Sequence, residues 1–174
     1  MTRQQLEHII RAAAAIADTR DVVVIGSQAI LGSFPDAPDE LLVSMEADVF
    51  PKDRPADCLL IDGAMGERSI FHETFGYYAH GVDETTAVLP TGWRERLVRV
   101  ENENTCGATG WCLEPHDLAV SKLVAGREKD LSFLAGLLRH RLVRPDTIRE
   151  RLAHTPLDEA RRKVCEARLE RLLT

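Results

Sequence analysis

An α/β fold of the α+β kind, a mixed sheet followed by a helical C-terminal region, is predicted by three features of this 174-residue sequence. A short, wholly apolar, β-branched run, Val22 to Ile25, lies between two helical patterns, as a central strand does. Several more strand-like runs follow, set apart by Gly, Pro and Asp. From Pro115 onward only helical periodicity remains. The seam at Glu114-Pro115 divides the chain into an α/β core, 1–114, and a helical region, 115–174.

Taken in order, the first helix covers about residues 3 to 18, with Leu6, Ile9, Ile10 and Ala13 on one face. Val22 to Ile25 is the first strand, and Ser27 to Leu31 a short helix. "FPDAPDE" is a loop, and "LLVSMEADVF" is the second strand, stopped by Pro51. "DCLLIDGAMG" reads either as a strand and turn or as part of a helix. "SIFHETFGYYAHGVD" changes from helix to strand around Gly76. "TTAVLPTGW" reads as a strand ending in a turn, and "ERLVRVEN" with "TGWCLEP" as a strand pair. Asp117 is the expected cap of one helix spanning "LAVSKLVAGREKDLSFLAGLLRHRL". Further helices begin near Pro145-Asp146 and at "TPLDEA", the latter capped by Thr155.

At 44% hydrophobic and 29% charged, the composition is that of an ordinary globular protein. No apolar run approaches the roughly 20 residues of a membrane span. Glu7 and Asp18 interrupt the amphipathic N-terminus, so it reads as a helix of the fold, not a targeting segment, and a cytoplasmic location with no membrane partner is expected. Four cysteines without a CxxC spacing suit free thiols, the alternative being a Cys106–Cys112 pair across a turn. Net charge is −6 but uneven: residues 1–114 hold 9 Lys+Arg against 19 Asp+Glu, and the remainder 13 against 9. Acidic groups in front suit a metal and basic groups behind suit phosphate or nucleic acid, although helical regions are also rich in Arg and Glu for solubility. The chain lacks a P-loop, a GxGxxG fingerprint and any RRM, KH or zinc-finger pattern.

Chemistry gathers at two places in the core. Gly26-Ser27 sits where a strand enters a helix, which is either a turn with a helix cap or a site where backbone N–H groups meet an anion. Glu46 and Asp48 stand two apart on a strand and so share a face. They are either an acidic face in water or a pair that a divalent cation holds together, and Mg²⁺ takes one or two carboxylates plus phosphate oxygens.

Strand, Gly-Ser, helix, loop and a strand bearing [DE]-x-[DE] together resemble the nucleotidyltransferase superfamily of the polymerase-β type. The residues that carry the resemblance are Ile25-Gly26-Ser27 and Glu46-Ala47-Asp48-Val49. It implies that Gly26 and Ser27 hold a triphosphate and that Glu46 and Asp48 hold Mg²⁺ (or Mn²⁺) against it. The first acid is Glu where Asp is commoner, and the spacer is long. "EPHDLAVSKLVAGREKDLSFLAGLL" is similar to a helical segment of AbiEii-like and related small bacterial nucleotidyltransferases, with Lys122, Arg127, Lys129 and Asp130 matching. The Lys122-to-Asp130 spacing is shorter than in the AbiEii toxins, closer to a compact uncharacterised branch.

The helical pattern adds its own expectation. Val120, Leu123, Leu131, Leu134 and Leu138 form a stripe, with Arg127 midway along it and Asp130 one turn on. Charged groups on a core-facing stripe need partners or a ligand, and an Arg127–Asp130 bridge of structural purpose is the alternative to a site. Lys122 and Lys129, seven apart, share a flanking face. The resemblance then implies catalysis by Asp48, Lys122 and Asp130, and nucleotide binding by Gly26, Ser27, Lys122, Arg127 and Lys129. It implies transfer of an NMP from an NTP to an acceptor hydroxyl, with RNA such as the tRNA end as acceptor and a cognate antitoxin as partner. The alternatives are a small-molecule acceptor and a non-catalytic nucleotide- or partner-binding protein. Asp83 is the candidate third carboxylate, with Asp62 behind it, and His72, His80 and His116 read as surface or polar-core residues. Trp93 is a packing residue or a stacking platform, and Arg139, Arg141 and Arg144 a solvated face or a basic rim.

Overall fold

The computed structural model describes residues 1–174. Helix α1, Arg3–Ile16, opens on a capping box in which Thr2 and Gln5 satisfy each other's backbone, and it buries Leu6, Ile9, Ile10 and Ala13. Strand β1 is Asp21–Val24, followed by a 3₁₀ turn at Ser27–Ala29 and the one-turn helix α2, Ile30–Ser33. Next come β2, Glu46–Pro51; α3, Cys58–Met65; α4, Ile70–Phe75; and β3, Tyr78–Gly81. The core closes with β4, Val98–Val100, and β5, Thr109–Cys112. Four helices complete the chain: α5, Pro115–Ala125; α6, Glu128–Arg139; α7, Pro145–Ala153; and α8, Glu159–Leu173.

The five strands form one mixed sheet in the order β3-β2-β1-β5-β4. β1 runs parallel to β5 and antiparallel to β2, β2 runs parallel to β3, and β4 runs antiparallel to β5. This is the α+β architecture the sequence implies. Alternation along the strands divides the sheet's two faces. Val22, Val24, Ala47, Val49 and Ala79 join the main core, which also holds residues of α1, α5, α6, α7 and α8. Val23, Ile25, Phe50, Cys58 and Val82 form a second, smaller cluster on the opposite face, with Ala87, Trp93 and Trp111 against it. Glu46 and Asp48 therefore point to the side of the smaller cluster.

Several elements depart from expectation, each for a physical reason. β2 begins at Glu46, not Leu41, because the backbone N–H and C=O of Glu46 bond the Ser44 hydroxyl at 3.1 Å each, and residues 39–41 curl into a 3₁₀ turn. "DCLLIDGAMG" is helical, as α3. "TTAVLPTGW" forms no strand. Pro90 has no N–H for a ladder, and Thr91 donates its own to His154 O at 2.9 Å, so the segment packs on the smaller cluster through Ala87 and Trp93 instead of joining the sheet. The expected long helix is broken into α5 and α6 at Gly126, which takes φ +64° and donates to Lys122 O. Glu114, not Asp117, caps α5, accepting from His116 N–H at 2.9 Å and Asp117 N–H at 3.2 Å. Asp117 is instead buried against Arg96 (2.8 Å) and Arg151 (3.6 Å). Thr155 donates its hydroxyl to Arg151 O, and Asp158 caps α8 by accepting from Arg161 N–H. No helix is long and apolar enough to cross a membrane.

Candidate metal and nucleotide site

The turn after β1 places its backbone directly under Asp48. Ile25 N–H donates to Asp48 O at 3.0 Å, extending the β1–β2 pairing by one bond. Gly26 has φ −78°, an ordinary backbone angle, so conformation does not demand glycine here. Space does: a β-carbon at Gly26 would collide with the Asp48 carboxylate. The strand ends on glycine because an acid lies across it.

Strand register builds the rest of the acidic cluster. β2 and β3 pair Glu46 with Tyr78 and Asp48 with His80. All four side chains lie on one face of the sheet. Tyr78 O–H donates to Glu46 Oε2 at 2.8 Å, which leaves Oε1 turned toward His80. His80 Nδ1 lies 3.3 Å from Asp48 Oδ1 and 3.8 Å from Glu46 Oε1. Burial, and then the Glu46 charge, push the Asp48 pKa up to about 6. Burial also opposes ionisation of Glu46, but the Tyr78 and Asp48 hydrogen bonds and the charges of His80 and Lys129 outweigh it and hold its pKa low. Two carboxylates so placed need positive charge.

The donor set fits one divalent cation. Metal–oxygen bonds of about 2.1 Å allow two ligands of one ion to stand up to about 4.2 Å apart. Both His80–carboxylate distances, 3.3 and 3.8 Å, fall inside that limit, and one ligand atom from each of Glu46, Asp48 and His80 lies within 4.8 Å of the others. Small side-chain rotations close the remainder.

Facing this cluster is the junction of α5 and α6. Asp130 is buried (1% exposed) and accepts from Arg127 Nε at 2.6 Å and Nη2 at 3.2 Å, with Lys122 Nζ 3.4 Å away. Burial opposes ionisation of Asp130, but the Arg127 hydrogen bond and the Lys122 and Arg127 charges prevail and lower its pKa. The break at Gly126 corrects the expectation for Arg127. Its side chain is 62% exposed at the cap of α6, not on a core-facing stripe. Lys122 and Lys129 likewise lie on different helices.

Between the two halves is a cavity of about 300 Å³, lined by Gly26, Asp48, Lys122, Arg127, Asp130 and Arg161 with the loop at Thr86. Ser27 is half-buried in the 3₁₀ turn and not on the cavity wall, Glu46 stands behind Asp48 toward His80, and Lys129 is exposed on the first turn of α6. Asp83 is exposed and accepts from Thr85 N–H and O–H, and neither it nor Asp62 joins the carboxylate pair. His116 is a polar-core residue between Glu114 and the Arg144 N–H, whereas His80 belongs to the cluster. Sequence reasoning missed Tyr78, His80 and Arg161. The i, i+2 spacing of Tyr78 and His80, matching Glu46 and Asp48, was the one available signal for the first two. Arg161 left none, because α8 reaches the cavity only through packing.

A family model described as "Nucleotidyltransferase of unknown function (DUF6036)" matches residues 4–142, well over half of the chain. No curated protein and no solved structure matches the chain.

Proposed function

From the chain's membership of the DUF6036 family of nucleotidyltransferases, we propose that it transfers an NMP from an NTP to an acceptor hydroxyl, with Glu46 and Asp48 holding Mg²⁺ or Mn²⁺. The observation that carries this reading is one cavity with Gly26 and Asp48 on one wall and Lys122, Arg127 and Asp130 on the other. A divalent cation bound at the acidic pair supplies positive charge to the triphosphate and to the phosphorus under attack.

The chain's own residues do the rest. Gly26, bare of a side chain, lets the Asp48 carboxylate lie against the turn on the cavity wall, and Ser27 adds a hydroxyl at that turn. Lys122 and Arg127 neutralise phosphate charge, and Lys129 adds to the positive field from the first turn of α6. Asp130 has both oxygens engaged, so it orients Lys122 and Arg127 instead of taking a proton. The acceptor hydroxyl oxygen bonds the α-phosphorus as its proton passes to water, the bond to pyrophosphate breaks, and pyrophosphate leaves with the displaced electron pair. In this reading the acceptor is RNA, the tRNA end included, and the resemblance of residues 114–138 to AbiEii-like proteins supports a toxin role with a cognate antitoxin as partner. Support for an RNA acceptor comes from the basic balance of residues 115–174, whose helices bring Lys122, Arg127 and Arg161 to the cavity.

The test incubates each α-³²P-labelled NTP with total cellular RNA and Mg²⁺ or Mn²⁺, with wild type beside Asp48→Ala and Lys122→Ala. Label on RNA with wild type alone is the expected result. RNA retention that falls steeply with salt separates a nucleic-acid acceptor from a small molecule. NTP binding by calorimetry without transfer to any acceptor moves the chain to a nucleotide-binding role, and absence of NTP binding overturns the reading.

A further inference from the structure

We infer that His80 is the third ligand of the metal site and that it tunes the site toward Mn²⁺ over Mg²⁺. This rests on the reading of Glu46 and Asp48 as a metal-holding pair. β3 lies parallel to β2 with His80 directly beside Asp48. The place next to the acid pair on the neighbouring strand is thus filled by an imidazole, while Asp83, three residues on, is turned away onto Thr85.

Three features make His80 a ligand and not a chance neighbour. Its Nδ1 is within single-ion reach of both carboxylates, 3.3 Å from one and 3.8 Å from the other. Asp48 is the one hydrogen-bond partner of its ring, so no structural bond is broken when the ring turns to an ion. Glu46 is pre-set by Tyr78, which holds Oε2 and aims Oε1 at the same point, as outer partners of metal ligands do. The ring is half exposed and Asp48 lines the cavity, so an ion held by these residues would be open to water and to phosphate oxygens.

Ligand chemistry sets the preference. Mg²⁺ is hard and takes oxygen almost exclusively, whereas imidazole binds first-row transition ions with growing strength along the Irving–Williams order. Two carboxylates plus one imidazole would hold Mn²⁺ through three protein bonds but Mg²⁺ effectively through two. In this site, therefore, one nitrogen decides the ion.

The test measures metal binding itself. Wild type, His80→Ala, His80→Asp and Asp48→Ala, all full-length and checked by far-UV circular dichroism, are titrated calorimetrically with MnCl₂ and MgCl₂ in the presence of a non-hydrolysable NTP. The Mn²⁺ forms are then examined by electron spin-echo envelope modulation. The expected result is a ¹⁴N signal from imidazole on Mn²⁺ in wild type, absent from His80→Ala. The Mn²⁺-over-Mg²⁺ affinity ratio should fall about tenfold or more in His80→Ala, the low end of what even indirect metal partners contribute. His80→Asp should lower the ratio further by restoring Mg²⁺ binding. Mn²⁺ bound without a ¹⁴N signal, or a ratio unchanged in both His80 variants, overturns the role of His80 and leaves the acidic pair as the site. No Mn²⁺ bound by wild type, or equal binding by Asp48→Ala, overturns the metal-holding pair itself and His80 with it.

Discussion

A methyl group at Gly26 would fill the space of the Asp48 carboxylate, so Gly26→Ala must displace one or the other. The expected cost is about 1–3 kcal/mol of stability, typical of overpacking, together with weakened Mn²⁺ binding. Urea unfolding and calorimetry read the two effects. Asp130 carries a different kind of demand. Asp130→Asn keeps its shape but removes the charge that Lys122 and Arg127 share, which should cost about 2 kcal/mol and raise KM for the NTP. A stability loss with KM unchanged would make the bridge purely structural. Glu7, buried on α1, accepts from Arg3, Asn102 and Asn104 at 2.7–2.8 Å. Burial opposes its ionisation, but these partners outweigh burial and hold its pKa below the ordinary 4.5. Its stabilising effect is thus complete above pH 4.5 and is lost as pH falls through the lower folded value. Urea melts between about pH 3 and 6 should show that slope in wild type and a flatter one in Glu7→Gln. The sequence singles out Gly26, Glu46 and Asp48. It does not show that Gly26 is needed for space, because the atom that fills the space lies 22 residues away.

At the scale of elements, the α5–α6 break organises the cationic half of the site. Helical period alone runs straight through Gly126, since an interior glycine costs only about 1 kcal/mol and is often tolerated. What ends α5 is tertiary: the Arg168 guanidinium of α8 donates to Leu123 O at 2.8 Å and Val124 O at 3.2 Å, and it occupies the place of a Gly126 side chain. Arg168→Ala should therefore lower stability by about 1–2 kcal/mol through lost carbonyl bonds and charge at a helix C-terminus. The urea midpoint should fall with an unchanged slope, and Arg127 and Lys122 should bind NTP less tightly as the junction loosens. The same distinction explains β2. Its alternation from Glu46 onward is visible in sequence, but Leu41-Leu42-Val43 reads as more strand until the Ser44 hydroxyl is seen taking the backbone bonds of Glu46.

At the scale of the whole molecule, Leu118, Ala119, Val120 and Leu123 of α5 belong to the same core as α1 and the sheet. A fragment of residues 1–114 would expose that face, so it should show no cooperative thermal transition by calorimetry, while the full chain shows one. A folded, cooperative fragment would mean that the helical region is a separate unit. The sequence by itself determined the mixed sheet, the helical region after Pro115, the shared face of Glu46 and Asp48, and the nearness of Arg127 and Asp130. Each of these follows from local periodicity, which fixes the direction of a side chain relative to its own element. Tertiary structure decided the register that sets Tyr78 and His80 beside the acids, the left-handed turn that swings Arg127 off the core, and the approach of Arg161 from α8. Those depend on which distant segments pack together, a balance of burial and hydrogen bonding over the whole chain that no local pattern records.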